Sequence, residues 1–269
     1  MSAITEVAVD VMNGDVVVPA IMTVPARPSA VVILLHGTMS QKNEVAGVYR
    51  RLAAALARRG IGSLRIDFRG CGDSVRPQPE LTVETQVSDA RAAVDHVTRD
   101  PAFSDCAVGV LGFSQGGRIA ALLAARDSRV KGLVTWNSGA FDMTELAFYK
   151  ELHAEAEAAG TAWLRAPWGG TFELSAQWFA ETASVRPEAE IGAYEGPILT
   201  VNCADDELVD PEAGKRLVLA SSSGDASAVL LRAGGHIFGL DEGDGGGPLA
   251  TRLVDDTCDW FASRLRDEM

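Results

Sequence analysis

The chain has 269 residues, with 24 Lys and Arg against 37 Asp and Glu, and the resulting charge of −13 argues against nucleic acid or an anionic membrane as the main partner, because both attract basic surfaces. Apolar residues at 47% and charged residues at 23% exclude a disordered chain, and the length permits one large core or a core with an insertion. No apolar run approaches the roughly 20 residues that span a bilayer, Met1 to Asp10 lacks the regions of a secretory signal, and four scattered cysteines without a CxxC pair argue against a zinc site or disulfide framework, so the cytoplasm is the expected location.

Ile4–Val11 and Val16–Val24 are β-rich runs around Asn13-Gly14, a hairpin turn signal. Ala30–Leu35 is a continuous apolar run, the pattern of a strand buried on both faces. Val45–Arg59 has helical spacing and stops at Gly60. Ile61–Ile66 reads as a strand, Thr82–Arg99 as a helix, Ala107–Leu111 as a strand, Gln115–Ala125 as a helix and Val130–Trp136 as a strand. The rhythm then breaks. Residues 140–195 hold Trp163, Trp168 and Trp178 with Phe141, Phe148, Tyr149, Phe172 and Phe179. Glu145–Ala159 has helix-forming composition, and Ala166–Gly170 breaks it, so an inserted, partly helical cap is expected there. The rhythm resumes with Pro197–Cys203 (strand), Pro211–Ala220 (helix), Ala226–Arg232 (strand) and Leu249–Arg266 (helix). The glycine-rich stretch Asp241–Gly247 is too acidic to hold phosphate and reads as a connector. The expected fold is therefore α/β, a mostly parallel sheet of about eight strands with helices on both faces. Residues 1–139 and 196–269 form the core and residues 140–195 the small inserted cap.

The sharpest motif is Gly112-Phe113-Ser114-Gln115-Gly116, which fits Gly-x-Ser-x-Gly between an expected strand and an expected helix. That context places a serine on a strained turn with its Oγ exposed at the sheet edge, and aims the positive end of the helix at the same spot. A serine hydroxyl needs a base. Of the four histidines, His96 lies within a helix and His153 in the cap, where packing or surface roles are expected. His236 sits in the glycine-rich loop after the last expected strand, where α/β sheets build their sites. The base in turn needs a carboxylate, and the loop Ala204–Asp210 offers several. The spacing Asp206-x-x-Val209 favours Asp206, with Asp205 as its rival. The chain order Ser, Asp, His is that of α/β-hydrolases.

The sequence resembles the α/β-hydrolase superfamily over nearly its whole length. Leu35–Lys42 is similar to the His-Gly-x oxyanion loop, and Asp67–Ser74 to the Asp-x-Arg-Gly-x-Gly-x-Ser loop of many members. With the serine elbow, these motifs are most similar to those of the carboxylesterase and feruloyl (cinnamoyl) esterase branch, which carries a small cap after the sixth strand. Two positions depart from that branch: Cys71 stands where His or Tyr is frequent, and Asn202-Cys203 where His-Gly precedes the acid.

The resemblance implies an oxyanion hole made by the backbone N–H groups of Thr38 and Gln115, with His36 structural. It implies hydrolysis of a carboxylic ester by Ser114, His236 and Asp206 through an acyl-enzyme, with no metal and no cofactor. Met39, Trp163, Trp168 and Trp178 are the expected substrate-binding residues, the tryptophans having cap packing as their equal alternative. Acyl transfer, thioester or lactone hydrolysis and C–C bond hydrolysis use the same triad, and a non-catalytic binding protein is the reading of a different class. The expected partner is a small-molecule ester, not nucleic acid or membrane, and a homodimer is compatible with the sequence.

Overall fold

A computed structural model of the chain describes residues 4–140, 143–145, 147–165, 170–242 and 246–265. The hairpin β1 (Thr5–Asn13) and β2 (Val16–Val24) comes first. Then β3 (Ala30–Leu35), α1 (Val48–Arg58), β4 (Ile61–Ile66), α2 (Val83–Arg99), β5 (Ala107–Phe113), α3 (Gln115–Arg126) and β6 (Val130–Trp136) alternate. Next come α4 (Ala147–Ala159), β7 (Thr161–Arg165), β8 (Thr171–Ser175), α5 (Ala176–Ser184) and the short α6 (Pro187–Glu190). The chain returns to the sheet with β9 (Ile198–Cys203), α7 (Ala213–Ala220), β10 (Ala226–Leu231) and α8 (Pro248–Arg264).

Eight strands form one sheet in the order β1-β2-β4-β3-β5-β6-β9-β10. The first hairpin pairs antiparallel internally and with β4, and the other pairings are parallel. The apolar run of β3 explains why helices cover both faces. Its six residues are buried. Ala30, Val32 and Leu34 join a core with α1 and α8, and Val31, Ile33 and Leu35 join one with α2 and α3. Alternate residues of a strand point to opposite faces, so an all-apolar strand needs a layer on each side.

Local chemistry sets several boundaries. Thr82 caps α2, its side chain accepting the Thr85 N–H at 3.2 Å. The helix expected from Val45 starts instead at Val48, because Ala46 and Gly47 take positive φ of 50° and 65°. The first hairpin turns one residue later than Asn13-Gly14 suggests: Asn13 pairs with Val16, leaving Gly14 and Asp15 as the turn. Asn13 is recruited by α2, its amide donating to Ser88 Oγ at 2.9 Å and Asp89 Oδ1 at 2.8 Å.

The segment between β6 and β9 contains a two-stranded antiparallel sheet, β7 with β8, beside its helices. The sequence pattern gave no sign of these strands. Tyr149, Trp178 and Phe179 pack together there, with Trp178 against Phe179 at 5.0 Å between ring centroids. Arg118 of α3 ties this segment to the sheet domain, donating to the carbonyl of Thr182 at 2.8 Å and to that of Val185.

Candidate active site

The loops that follow β3, β5, β6, β9 and β10 converge at the carboxyl edge of the sheet, where α/β folds place their ligands. Ser114 lies between β5 and α3 with φ 53° and ψ −122°, a conformation rare for a residue with a side chain. The elbow is held from two sides. Ser114 donates its N–H to Trp136 O at 2.9 Å, and its carbonyl accepts from Ser138 Oγ at 2.6 Å. The helix after it crosses so near β3 that a Cβ on Gly116 would stand 2.0 Å from Leu35 O. Only glycine fits at that position.

His236 Nε2 lies 3.0 Å from Ser114 Oγ, and His236 Nδ1 lies 2.9 Å from Asp206 Oδ2. The other Asp206 oxygen accepts the N–H groups of Leu208 at 2.8 Å and Val209 at 3.0 Å. The Asp-x-x-Val spacing thus has a physical basis, since the fourth residue's N–H closes a turn onto the carboxylate. With that carboxylate accepting at Nδ1, the proton sits on Nδ1 and Nε2 is free to accept from the serine. The Asp206 side chain is 1% exposed and that of His236 13% exposed, so the chain is dry at the acid and open toward the serine. Asp205 points elsewhere. Its carboxylate accepts the N–H groups of Gly235 at 2.9 Å and Gly234 at 3.2 Å, and these contacts hold its carboxyl below the usual range.

Asn137 completes the frame and was not singled out by the sequence. Buried at the end of β6 with φ 39°, it donates from Nδ2 to His236 O at 2.7 Å and Gly235 O at 3.0 Å. Its Oδ1 accepts the Cys203 N–H at 2.8 Å. One amide therefore joins β6, β9 and the histidine loop. The signal that could have found Asn137 and Ser138 is their position, directly after a parallel strand at the site edge.

The loop after β3 lies against the elbow: a Cβ on Gly37 would stand 3.3 Å from Ser114 Cβ. Gln115 is the first residue of α3, so its N–H has no partner within the helix and stays available to a ligand. Thr38 and Met39 are half-buried on the facing loop, Met39 with φ 60°. His36 is fully buried, and burial pushes its imidazole down. Neutral, it accepts the Phe68 N–H on Nε2 at 3.2 Å and donates from Nδ1 to Gly37 O at 2.8 Å, joining two loops. Asp67 joins them again through the Lys42 N–H at 2.6 Å and the Asp73 N–H at 2.9 Å. Cys71 is buried in the same region, and burial raises its thiol well above the ordinary range.

The tryptophans do not share one environment. Trp163 on β7 is 50% exposed, Trp178 is buried at 2% against Tyr149 and Phe179, and Trp168 lies outside the described residues. His153 stacks on Phe179 at 5.5 Å, and His96 is half-buried on α2. Among the described residues, no group of three or more His, Cys, Asp or Glu is placed to hold a metal, and no helix is long and apolar enough to cross a membrane.

Residues 26–168 match the model of a family described as serine aminopeptidase, S33. No curated protein matches the chain significantly. Solved structures similar to it include Est1E from Butyrivibrio proteoclasticus with ferulic acid bound, at 19% identity and a TM-score of 0.75, covering 96% of this chain and 99% of that one. The α/β-hydrolase GrgF from a Penicillium species is 15% identical with a TM-score of 0.80, covering 98% and 99%. A cold-adapted esterase from an Arctic intertidal metagenomic library is 19% identical with a TM-score of 0.65, covering 98% and 95%. At these identities the likeness establishes the α/β-hydrolase fold.

Proposed function

Because the chain belongs to the serine aminopeptidase S33 family of α/β-hydrolases, we propose that it is a serine hydrolase cleaving a carboxylic ester of a small or medium apolar acid. The observation that carries the reading is the unbroken chain Ser114 Oγ, His236, Asp206 at 3.0 and 2.9 Å on a strained elbow. A receptor that only binds has no need of all three.

In this mechanism Ser114 Oγ attacks the ester carbonyl and its proton passes to His236 Nε2. Asp206 holds the ring and stabilises the imidazolium. The negative oxygen of the tetrahedral intermediate is received by the N–H groups of Thr38 and Gln115, and the helix α3 dipole adds to the same field. Collapse breaks the ester C–O bond, and His236 returns the proton to the leaving alcohol. Water, deprotonated by His236, then attacks the acyl-Ser114 and releases the acid. None of these steps calls on a cofactor.

The choice of an ester over other acyl substrates draws on the motif resemblance and on the esterases among the structural neighbours. It is tested with acetyl, butyryl, octanoyl and hydroxycinnamoyl esters beside aryl amides of amino acids. Hydrolysis of one or more esters, lost by roughly 10⁶ in Ser114→Ala, is expected. Turnover of the amides alone would overturn the ester assignment.

A further inference from the structure

The oxyanion loop contains a buried acid that the mechanism does not use. Glu44 is 5% exposed and takes φ 59°, a conformation seldom adopted by a residue with a side chain. Its carboxyl accepts the Ser40 hydroxyl and the Gly37 N–H. Glu44 and Ser114 both lie against Gly37: a Cβ there would stand 3.4 Å from Glu44 Oε1 and 3.3 Å from Ser114 Cβ. The same segment closes on itself, with Ser40 N–H donating to Gly37 O at 3.3 Å and Glu44 N–H to Gln41 O at 2.8 Å. Thr38 thus lies between two residues, Gly37 and Ser40, that are both tied to one carboxyl.

We infer that Glu44 is a positioning residue of the oxyanion hole, fixing Gly37 and Ser40 so that the Thr38 N–H keeps its aim beside Ser114; the inference rests on the oxyanion role proposed above for Thr38. A carboxyl buried for stability alone would be a poor choice, since burial penalises its charged form and an apolar side chain fills the same space without that penalty. The desolvation is large here, and it pushes the carboxyl up to about 7. What the carboxyl supplies and an apolar group does not is two acceptor contacts at fixed places on the loop. A preorganised donor keeps its value in the transition state only while the backbone that carries it cannot relax away.

The test compares Glu44→Gln, Glu44→Ala and Ser40→Ala with wild type, reading kcat and KM separately on a hydrolysed ester and the rate of fluorophosphonate labelling at Ser114. Glutamine keeps an acceptor for the Gly37 N–H and a donor for Ser40 Oγ. Alanine keeps neither. Loss of an oxyanion donor costs about 10²–10³ in kcat, so Glu44→Ala is expected to lose about 10² in kcat with little change in KM and to label correspondingly more slowly. Glu44→Gln should stay within about tenfold of wild type, and Ser40→Ala should fall between the two. An unchanged kcat in Glu44→Ala, a loss confined to KM, or a Gln variant as poor as the Ala variant overturns the inference. If Glu44→Ala does not fold, wild-type kcat in Ser40→Ala overturns it. Wild-type protein that neither hydrolyses esters nor labels at Ser114 would instead sink the serine-hydrolase reading, and this inference with it.

Discussion

Asp205 and Asp206 grip one loop by different handles: Asp206 takes the ring of His236, while Asp205 takes the backbone N–H groups of Gly234 and Gly235 just before it. The two neighbours therefore predict different phenotypes. Asp206→Asn presents an amide where Nδ1 needs a carboxylate, favours the wrong imidazole tautomer and is expected to lower kcat by about 10⁴. Asp205→Asn keeps an acceptor oxygen for one of the two glycine N–H groups, leaves the His236–Asp206 contact in place and should lose less than about tenfold. Steady-state kinetics on one ester decide the matter, and a crippled Asp205→Asn beside an active Asp206→Asn would reverse the roles.

Asn137 predicts coupled losses. Asn137→Ala leaves the Cys203 N–H and two carbonyls of the histidine loop without their partner. Each buried group left unpaired costs about 1–3 kcal/mol, so a stability loss of at least about 2 kcal/mol in denaturant titration is expected. Released from its anchor, His236 shifts relative to Ser114, and a displacement near 1 Å can cost about 10² in rate. Wild-type stability in the alanine variant would show that the three contacts carry no net weight.

Glu44 gives stability a pH dependence of definite sign. Burial raises its carboxyl from the usual 4.5 to about 7, so between those values the folded protein holds a proton that the unfolded chain has released. Its contribution is then most favourable below about pH 4.5 and declines as pH rises to about 7, by roughly 3 kcal/mol in all. In Glu44→Gln that slope should be absent. Urea midpoints measured from pH 5 to 8 for both proteins provide the comparison, and parallel curves would contradict the buried-acid account.

The tryptophans separate by burial. Trp178, 2% exposed against Phe179 and Tyr149, should cost about 3–5 kcal/mol on truncation to alanine. Trp163, 50% exposed, should cost no more than about 0.5 kcal/mol. Thermal unfolding of the two variants checks this. If Trp163 also meets the acyl chain, Trp163→Ala will reorder kcat/KM across ester lengths at unchanged stability.

The sheet was legible where burial is two-sided. Ala30–Leu35 begins and ends as its apolar run does, because both faces are covered, whereas Ile61–Ile66 is buried throughout although it carries Ser63 and Arg65. The elbow was legible because strand, serine and helix are contiguous in sequence. The hairpin β7–β8 was not. Thr161–Arg165 shows no clean alternation of polar and apolar residues, and its antiparallel pairing with Thr171–Ser175 is not announced by either segment alone. The acid at position 206 could be favoured over its neighbour by spacing alone, yet what separates them is the direction each side chain takes. Position after a strand could place Asn137 at the site edge, but the contacts that give Asn137 and Glu44 their roles were illegible for the same reason. Positive φ and the burial of a polar side chain are imposed by loops distant in sequence, and no local pattern announces them.

The central claim is that Ser114 is a nucleophile activated by His236, and covalent labelling tests it most directly. Wild-type protein is incubated with a fluorophosphonate, its intact mass measured and the modified peptide mapped, beside Ser114→Ala and His236→Gln shown to be folded. The account predicts one adduct per chain on Ser114 in the wild type, none in Ser114→Ala, and labelling slowed by orders of magnitude in His236→Gln. No adduct in the wild type, an adduct on another residue, or a His236→Gln variant that labels at the wild-type rate would contradict it.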